Sequence, residues 1–243
     1  MTKSLYLKCA AEDIHERVLL TGDPGRVDRI AGMLDDARQV AQNREFYVVS
    51  GRWQGTRFSV VSSGIGAPSA AIALEELAQL GARAVVRVGT MMGMDVPMGS
   101  FVISTGAARF EGTSRAYLGM EFPALPDWEL TRQLLEIGRT RGHDVHPGLT
   151  ASFDAFYPNM APTLVERGLL DVAWLRRANV LALDMETSLL FVMGTYLRLA
   201  TASLCLITNS ADPFAIIDSA ARETGEAHLI TTVLDGLSHW SAS

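Results

Sequence analysis

The sequence predicts an α/β protein, a single domain over residues 1–243 with a central mixed, largely parallel twisted sheet flanked by helices. Three observations carry that expectation. Apolar runs of strand length recur along the chain, and segments with helical spacing lie between most of them. A chain of 243 residues with 48% hydrophobic content is also long and apolar enough to bury one substantial core. Strands that alternate with helices pack as a parallel sheet covered on both faces.

The first strand-like run is Val18–Thr21, followed by Gly22-Asp23-Pro24-Gly25-Arg26 and a helix from Val27 to Leu34. Gln39–Val61 holds two strand-like runs divided by Gly51-Arg52-Trp53-Gln54-Gly55, which reads as a hairpin ending in the apolar Phe58–Ser62. Ala70, Leu74, Leu77 and Ala78 then share one helical face. Ala84–Val88 is hydrophobic on both faces, as a buried parallel strand should be, and Phe101–Ser104 is a further strand. Ala107–Asp127 is helix-poor and reads as loop or sheet edge. Beyond it come a helical face at Leu130, Leu134 and Ile137, a strand at Val180–Leu183, a helix through Leu189, Leu190, Met193 and Leu197, and a strand at Thr201–Thr208. Only the residues after Trp240 read as frayed.

Composition excludes several classes of function. The net charge is −6 and no Lys/Arg cluster stands out, which argues against a nucleic-acid surface. Any basic site must be local and aimed at a small anion. Cys9 and Cys205, the two cysteines, are far apart in apolar surroundings, as expected of reduced thiols in a cytoplasmic protein. Met1–Lys8 lacks the apolar core of a signal peptide, and no apolar stretch is long enough to span a membrane.

Gly22-Asp23-Pro24-Gly25-Arg26 ends a strand and opens a helix, so backbone N–H groups and a guanidinium would surround a small anion. The same residues also suit a plain helix start, with Asp23 as cap, Pro24 in the first turn and Arg26 in solvent. Arg87 tips the balance. An arginine late in a buried strand is costly unless it meets an anion or a buried acid, and it stands at the carboxyl end, where open α/β sheets bind ligands. Thr90 adds a hydroxyl donor there. Gly64-Ile65-Gly66-Ala67-Pro68-Ser69 resembles a dinucleotide fingerprint without its last glycine, and reads as a substrate-lining turn. His143 and His146 have no further ligands beside them to complete a metal set. Met91, Met92 and Met94 follow Thr90 at a strand end, where methionines either fill a core or line a pocket. Glu186 stands where a helix begins. Spacing alone favours a role at the positive helix end, beside a capping Asp184, over a grip on two sugar hydroxyls.

Taken together, these motifs resemble the nucleoside phosphorylases of the hexameric bacterial class, the uridine and purine nucleoside phosphorylases. The resemblance runs collinearly from about Leu19 to Leu237 through Gly22–Arg26, Arg44-Glu45-Phe46, Ser62–Ser69, Glu75–Gly81, Arg87-Val88-Gly89-Thr90, Glu121-Phe122-Pro123-Ala124 and Asp184-Met185-Glu186. The Glu121–Ala124 segment and Ala151–Pro158 look more like the uridine phosphorylases. The resemblance implies the nucleoside phosphorylase fold, a pentosyltransferase activity, and phosphate held by Gly22, Arg26, Arg87 and Thr90, with Arg44 supplied by a neighbouring subunit. Met185 and Glu186 would hold the ribose and Phe156 would stack near base or sugar. Phosphate would attack the anomeric carbon and displace the base, with no metal or organic cofactor. The implied assembly is a homo-oligomer built from dimers, a hexamer.

The chain departs from the family at the base. Uridine phosphorylases carry a glutamine and an arginine after Phe-Tyr-Pro, where this chain has Asn159-Met160-Ala161-Pro162. The purine enzymes carry an aspartate in a Val-Ser-Asp segment that is Ile207-Thr208-Asn209 here. Asn209 donates a hydrogen bond but does not readily transfer a proton, which suits a carbonyl-bearing base and leaves Asp212 as substitute acid. Tyr6 is nearest in register to the histidine expected at the ribose 5′ hydroxyl. Met91 and Met92 occupy a segment that is normally smaller. A nucleosidase on the same fold and a catalytically idle nucleoside-binding protein are the rival readings.

Overall fold

Alternate residues of the central strands enter two separate apolar layers, which is why those strands read as unbroken hydrophobic runs. In β1 (Arg17–Thr21), Val18 and Leu20 join one layer and Leu19 the other. The computed structural model describes residues 3–160, 171–211 and 214–241. After β1 come α1 (Pro24–Ala31), β2 (Asp35–Asn43), β3 (Phe46–Trp53), β4 (Thr56–Ser62), α2 (Ala67–Gln79), β5 (Ala84–Gly93) and β6 (Phe101–Phe110). The chain continues through α3 (Trp128–Thr140), β7 (Val145–Phe153), α4 (Phe156–Met160), α5 (Val172–Arg177), β8 (Val180–Asp184), α6 (Thr187–Leu197), β9 (Ala200–Ala211), β10 (Phe214–Ile216) and α7 (Ser219–His239). No helix among the described residues is long and apolar enough to cross a membrane.

The strands form one mixed sheet in the order β10-β9-β6-β7-β8-β5-β1-β4-β3-β2, and β9 also pairs with β5. That extra pairing closes β5, β9, β6, β7 and β8 into a ring. Parallel pairings β4–β1–β5–β9 run through the middle, and antiparallel hairpins finish both edges. The layer with α2 and α6 covers one face, and α1, α3 and α7 cover the other. Buried residues run all round the first turns of α6, from Thr187 to Gly194, because it lies between the sheet and α2.

Several expectations are refined. The hairpin over Gln39–Val61 is three strands: Gln39–Asn43 belong to β2, and the β3–β4 turn is only Gln54-Gly55, both at positive φ (48° and 83°). Two such residues give the turn whose twist matches a hairpin. The helix expected from Val27 to Leu34 starts at Pro24, capped by the Asp23 carboxylate on Gly25 N–H at 2.8 Å. The strand β7 has too few apolar residues around His146-Pro147-Gly148 to announce itself. The α7 stripe Leu229, Ile230, Val233, Leu234 and Leu237 obeys helical spacing, although no element is predicted there above. Ala107–Asp127 begins as β6 and becomes a loop fastened by Arg109, which donates to the carbonyls of Leu118, Gly119 and Phe122 at 2.7 Å each.

Candidate active site

A cavity of about 690 Å³ opens where β1, β5 and β8 end and β9 runs past them. Of the residues singled out from sequence, Gly22, Arg26, Arg87, Thr90, Met91, Phe156, Met185, Glu186 and Asn209 all line it. Tyr6 and Arg44 do not. They meet each other elsewhere, the Arg44 guanidinium 5.9 Å from the centre of the Tyr6 ring, in the turn between β2 and β3. Asp212, Ala161 and Pro162 lie outside the described residues. Asn159 gives its side-chain amide to Ala155 of its own turn. His143 stacks on His228 with centroids 5.0 Å apart, and neither His143 nor His146 lines the cavity.

Arg26 is buried, against the solvated alternative. Its Nη1 donates to Thr21 Oγ1 at 2.9 Å and its Nη2 to Glu226 Oε1 at 3.0 Å. Its Nε is a buried donor with no partner among the described residues. Glu226, buried in α7, is shared by three guanidiniums: Arg26, Arg29 at 2.9 Å and Arg222 at 3.0 Å. Burial alone would raise its pKa, but these arginines hold it down at about 2. Glu226 and the cavity-lining Arg222 were not singled out from sequence. Their i, i+4 spacing was the available signal.

Arg87 crosses its own strand. A methyl group on Gly89 would collide with the Arg87 guanidinium and sit 3.1 Å from Cys205 Sγ, so only glycine leaves room for the side chain to fold back there. Arg87 Nη2 is 2.5 Å from Glu186 Oε2, and Nε lies 3.1 Å from Asp184 Oδ2 but out of line for a hydrogen bond. Burial works against its charge, yet Glu186, Cys205 and Asp184 raise its pKa above the ordinary arginine value. Burial also raises the Cys205 thiol, opposed by the Arg87 guanidinium.

The two roles open to Glu186 separate in the structure. Capping belongs to Asp184, whose carboxylate accepts from Thr187 N–H at 3.1 Å and from Ser152 Oγ at 2.6 Å. Glu186 makes no cap bond and turns instead to Arg87 and to the Gly66 N–H, at 2.6 Å from Oε1. Burial raises its pKa, opposed by Arg87 and the Gly66 amide. Gly64 (φ 72°) and Gly66 (φ 91°) shape that turn, and Gly64 and Ile65 line the cavity while Gly66 orients Glu186. Two of the carboxylate's roughly four lone-pair sites are thus taken, and the others are available to hydroxyl donors.

The other end of the cavity is less polar. Met91 and Met92 are fully buried, whereas Phe156 is 41% exposed and Ile65 76% exposed at the mouth. Asn209 is the amide at that end. The arrangement joins an anion site, a carboxylate able to grip hydroxyls and an apolar slot with one amide.

A family model described as the phosphorylase superfamily matches residues 16–234. The chain is 39% identical to a guanosine phosphorylase from Halorubrum lacusprofundi over 209 residues, 85% of this chain and 83% of that protein. It is 36% identical to a uridine phosphorylase from Thermococcus kodakarensis over 216 residues, 83% of this chain and 76% of the other. It is also similar to a solved structure of uridine phosphorylase from Vibrio fischeri ES114, at TM-score 0.88, 30% identity and 99% coverage of both chains. With the model spanning most of the sequence and the fold shared from end to end, this chain belongs to the phosphorylase superfamily.

Proposed function

We propose that the chain is a nucleoside phosphorylase, which uses inorganic phosphate to cleave the N-glycosidic bond of a nucleoside and yields free base and ribose 1-phosphate. The observation that carries this reading is the pair of buried arginines, Arg26 and Arg87, on one cavity with Glu186. A hydrolytic enzyme has no use for a built anion site beside its sugar pocket.

In this reading Gly22 N–H, Arg26, Arg87 and Thr90 hold the phosphate. Glu186, already 2.5 Å from Arg87, accepts from the ribose hydroxyls, so nucleophile and sugar are held by two groups that touch each other. Phosphate oxygen forms a bond to the anomeric carbon as the bond to the base nitrogen breaks, and the base leaves with the bonding electrons. The transition state is a sugar cation, stabilised by the phosphate and Glu186 charges. Met185 packs on the ribose, Phe156 on the base, and the Asn209 amide donates to the leaving base. No metal or organic cofactor enters this chemistry. Both relatives described above are named for nucleosides whose bases carry carbonyl oxygens, in line with an amide donor. Assays of a nucleoside panel should give ribose 1-phosphate only when phosphate is present. Free ribose released at an undiminished rate in phosphate-free buffer would sink the proposal.

Arg44 completes the site across a two-fold interface, in an assembly of dimers that reaches a hexamer. The support is its position: it lies outside the cavity of its own chain, beside Glu45, which lines that cavity. Reciprocal exchange is what an isologous interface permits. An Arg44→Ala protein mixed with an Arg87→Ala protein should regain activity through hybrid dimers. A fully active monomer by light scattering under assay conditions would defeat the assembly. The setting is the reducing cytoplasm, which suits the free, buried Cys9 and Cys205.

A further inference from the structure

Three elements meet on the Arg26 side chain. Arg26 itself belongs to α1, its Nη1 donates to Thr21 Oγ1 at the end of β1, and its Nη2 donates to Glu226 Oε1, which α7 brings in from 200 residues further along the chain. The two oxygens of Glu226 serve different sides. Oε1 accepts from Arg26 and from Arg222, both of which line the cavity, whereas Oε2 faces Arg29, which does not. Arg29 in turn reaches Asp23 Oδ2 at 2.8 Å, while Asp23 Oδ1 caps α1 through the Gly25 N–H. Glu226 is buried and is not itself a wall of the cavity, so whatever it does there passes through its arginines.

Two opposite effects follow from a carboxylate in that place. Its charge cancels part of the attraction that Arg26 offers an anion, which by itself weakens phosphate binding. Its hydrogen bond, with that of Thr21 on the other side, fixes the guanidinium before phosphate arrives and spares the cost of ordering a long side chain. Without it, three guanidiniums gathered around one point would repel one another and Arg26 would be held from β1 alone. We infer that Glu226 is a positioning residue of the phosphate site, holding Arg26 in its binding position from α7, and that this hold outweighs the charge it cancels. The inference rests on the phosphate role of Arg26 proposed above and adds α7 to the elements that build the site.

The test measures the KM for inorganic phosphate at saturating nucleoside, and the KM for nucleoside at saturating phosphate, in Glu226→Ala, Glu226→Gln and Arg29→Ala. Glu226→Ala should raise the phosphate KM by roughly 10- to 100-fold, the loss of a charged hydrogen bond, and leave the nucleoside KM within about twofold of wild type. Glu226→Gln should raise it only about three- to tenfold, because the amide oxygen still accepts from Arg26 in a weaker, uncharged bond. Arg29→Ala empties the other oxygen of Glu226, so it should lower the melting temperature but leave the phosphate KM within about threefold. In an Arg26→Ala background, Glu226→Ala should reduce kcat/KM for phosphate no further, since the group it positions is gone. A phosphate KM that stayed level or fell in the Glu226 variants is what a merely charge-balancing carboxylate would give, and it would overturn the inference. So would an equal rise in both KM values, an equal rise in Arg29→Ala, or additive losses with Arg26→Ala, each the mark of a loosened fold. Should Glu226→Ala fail to fold, Glu226→Gln decides by the same split. Wild-type cleavage that ignores phosphate would overturn the phosphorolysis reading as well, whereas the other failures leave it standing.

Discussion

At the end of the cavity proposed to hold phosphate, Arg26 and Arg87 are 3% and 7% exposed and bound to carboxylates on α7 and around the start of α6. At the end proposed to hold the base, Phe156 and Ile65 are 41% and 76% exposed, and the Asn209 amide oxygen lies 3.1 Å from the Thr208 hydroxyl. Charges removed from water must be matched by opposite charges and hydrogen bonds, which multiplies the residues committed to the anion site. Selecting a base needs only a donor or acceptor at one position. The contrast explains how a phosphate site can keep its arginines while the base segment departs from the family: changing Arg87 breaks a network, and changing the residue at 209 alters one contact.

Arg87→Ala should produce the largest effect. It removes a proposed phosphate ligand and leaves Glu186 and Asp184, both buried, without their guanidinium. Breaking a buried pair in this way costs about 3–5 kcal/mol, or roughly two to four orders of magnitude in kcat/KM when expressed in the transition state. The loss should appear in the phosphate concentration dependence, with a lowered melting temperature beside it. Wild-type phosphate kinetics in this variant would erase the distinction between the two ends.

Much of the phosphate end was legible in the sequence for the reason that makes it sensitive. An arginine within Ala84–Val88 stands out because a buried strand excludes charge, and Gly22–Arg26 stands out because turn, cap and guanidinium coincide. Their partners were less visible. Glu226 is one acid among many in the sequence until α7 packs it against Arg26, since the choice of partner is tertiary. The runs that form β1, β5 and β9 announce themselves by being apolar on both faces, whereas β7 hides behind His146-Pro147-Gly148. A bulge that β9 forms at Thr208 could not be read at all, because a one-residue offset between β5 and β9 leaves no trace in the hydrophobic pattern of either. The fate of Glu186 turned on geometry too: spacing allowed both roles, and only the bonds of Asp184 show that capping is already provided.

Glu186→Gln probes the junction between the two ends. The amide keeps the shape but replaces one acceptor oxygen with an NH₂ and removes the charge facing Arg87. A charged hydrogen bond is worth roughly 1.5–3 kcal/mol, so kcat/KM should fall by about one to two orders of magnitude. The fall should be felt by nucleoside and phosphate alike, because Glu186 is the proposed ribose ligand and pairs with Arg87, the proposed phosphate ligand. An unchanged kcat/KM would return Glu186 to a purely structural role at the start of α6.

Phe156→Ala should give the smallest and the most one-sided change. Phe156 begins α4, packs edge-on against Tyr157 with ring centroids 5.3 Å apart, and is only partly covered. Stacking a base on an aromatic ring contributes about 1–3 kcal/mol, and a ring left 41% exposed should sit at the low end of that range. The expected result is a rise of roughly five- to tenfold in the nucleoside KM, with the phosphate KM and the melting temperature close to wild type. Titrating each substrate at saturating concentrations of the other separates the two constants. Because no charge is buried with Phe156, its loss leaves no unpaired group behind, and the damage should stop at the contact itself. A phosphate KM that rose as far as the nucleoside KM would mean that the base end is coupled to Arg26 and Arg87, and that the two ends are one network.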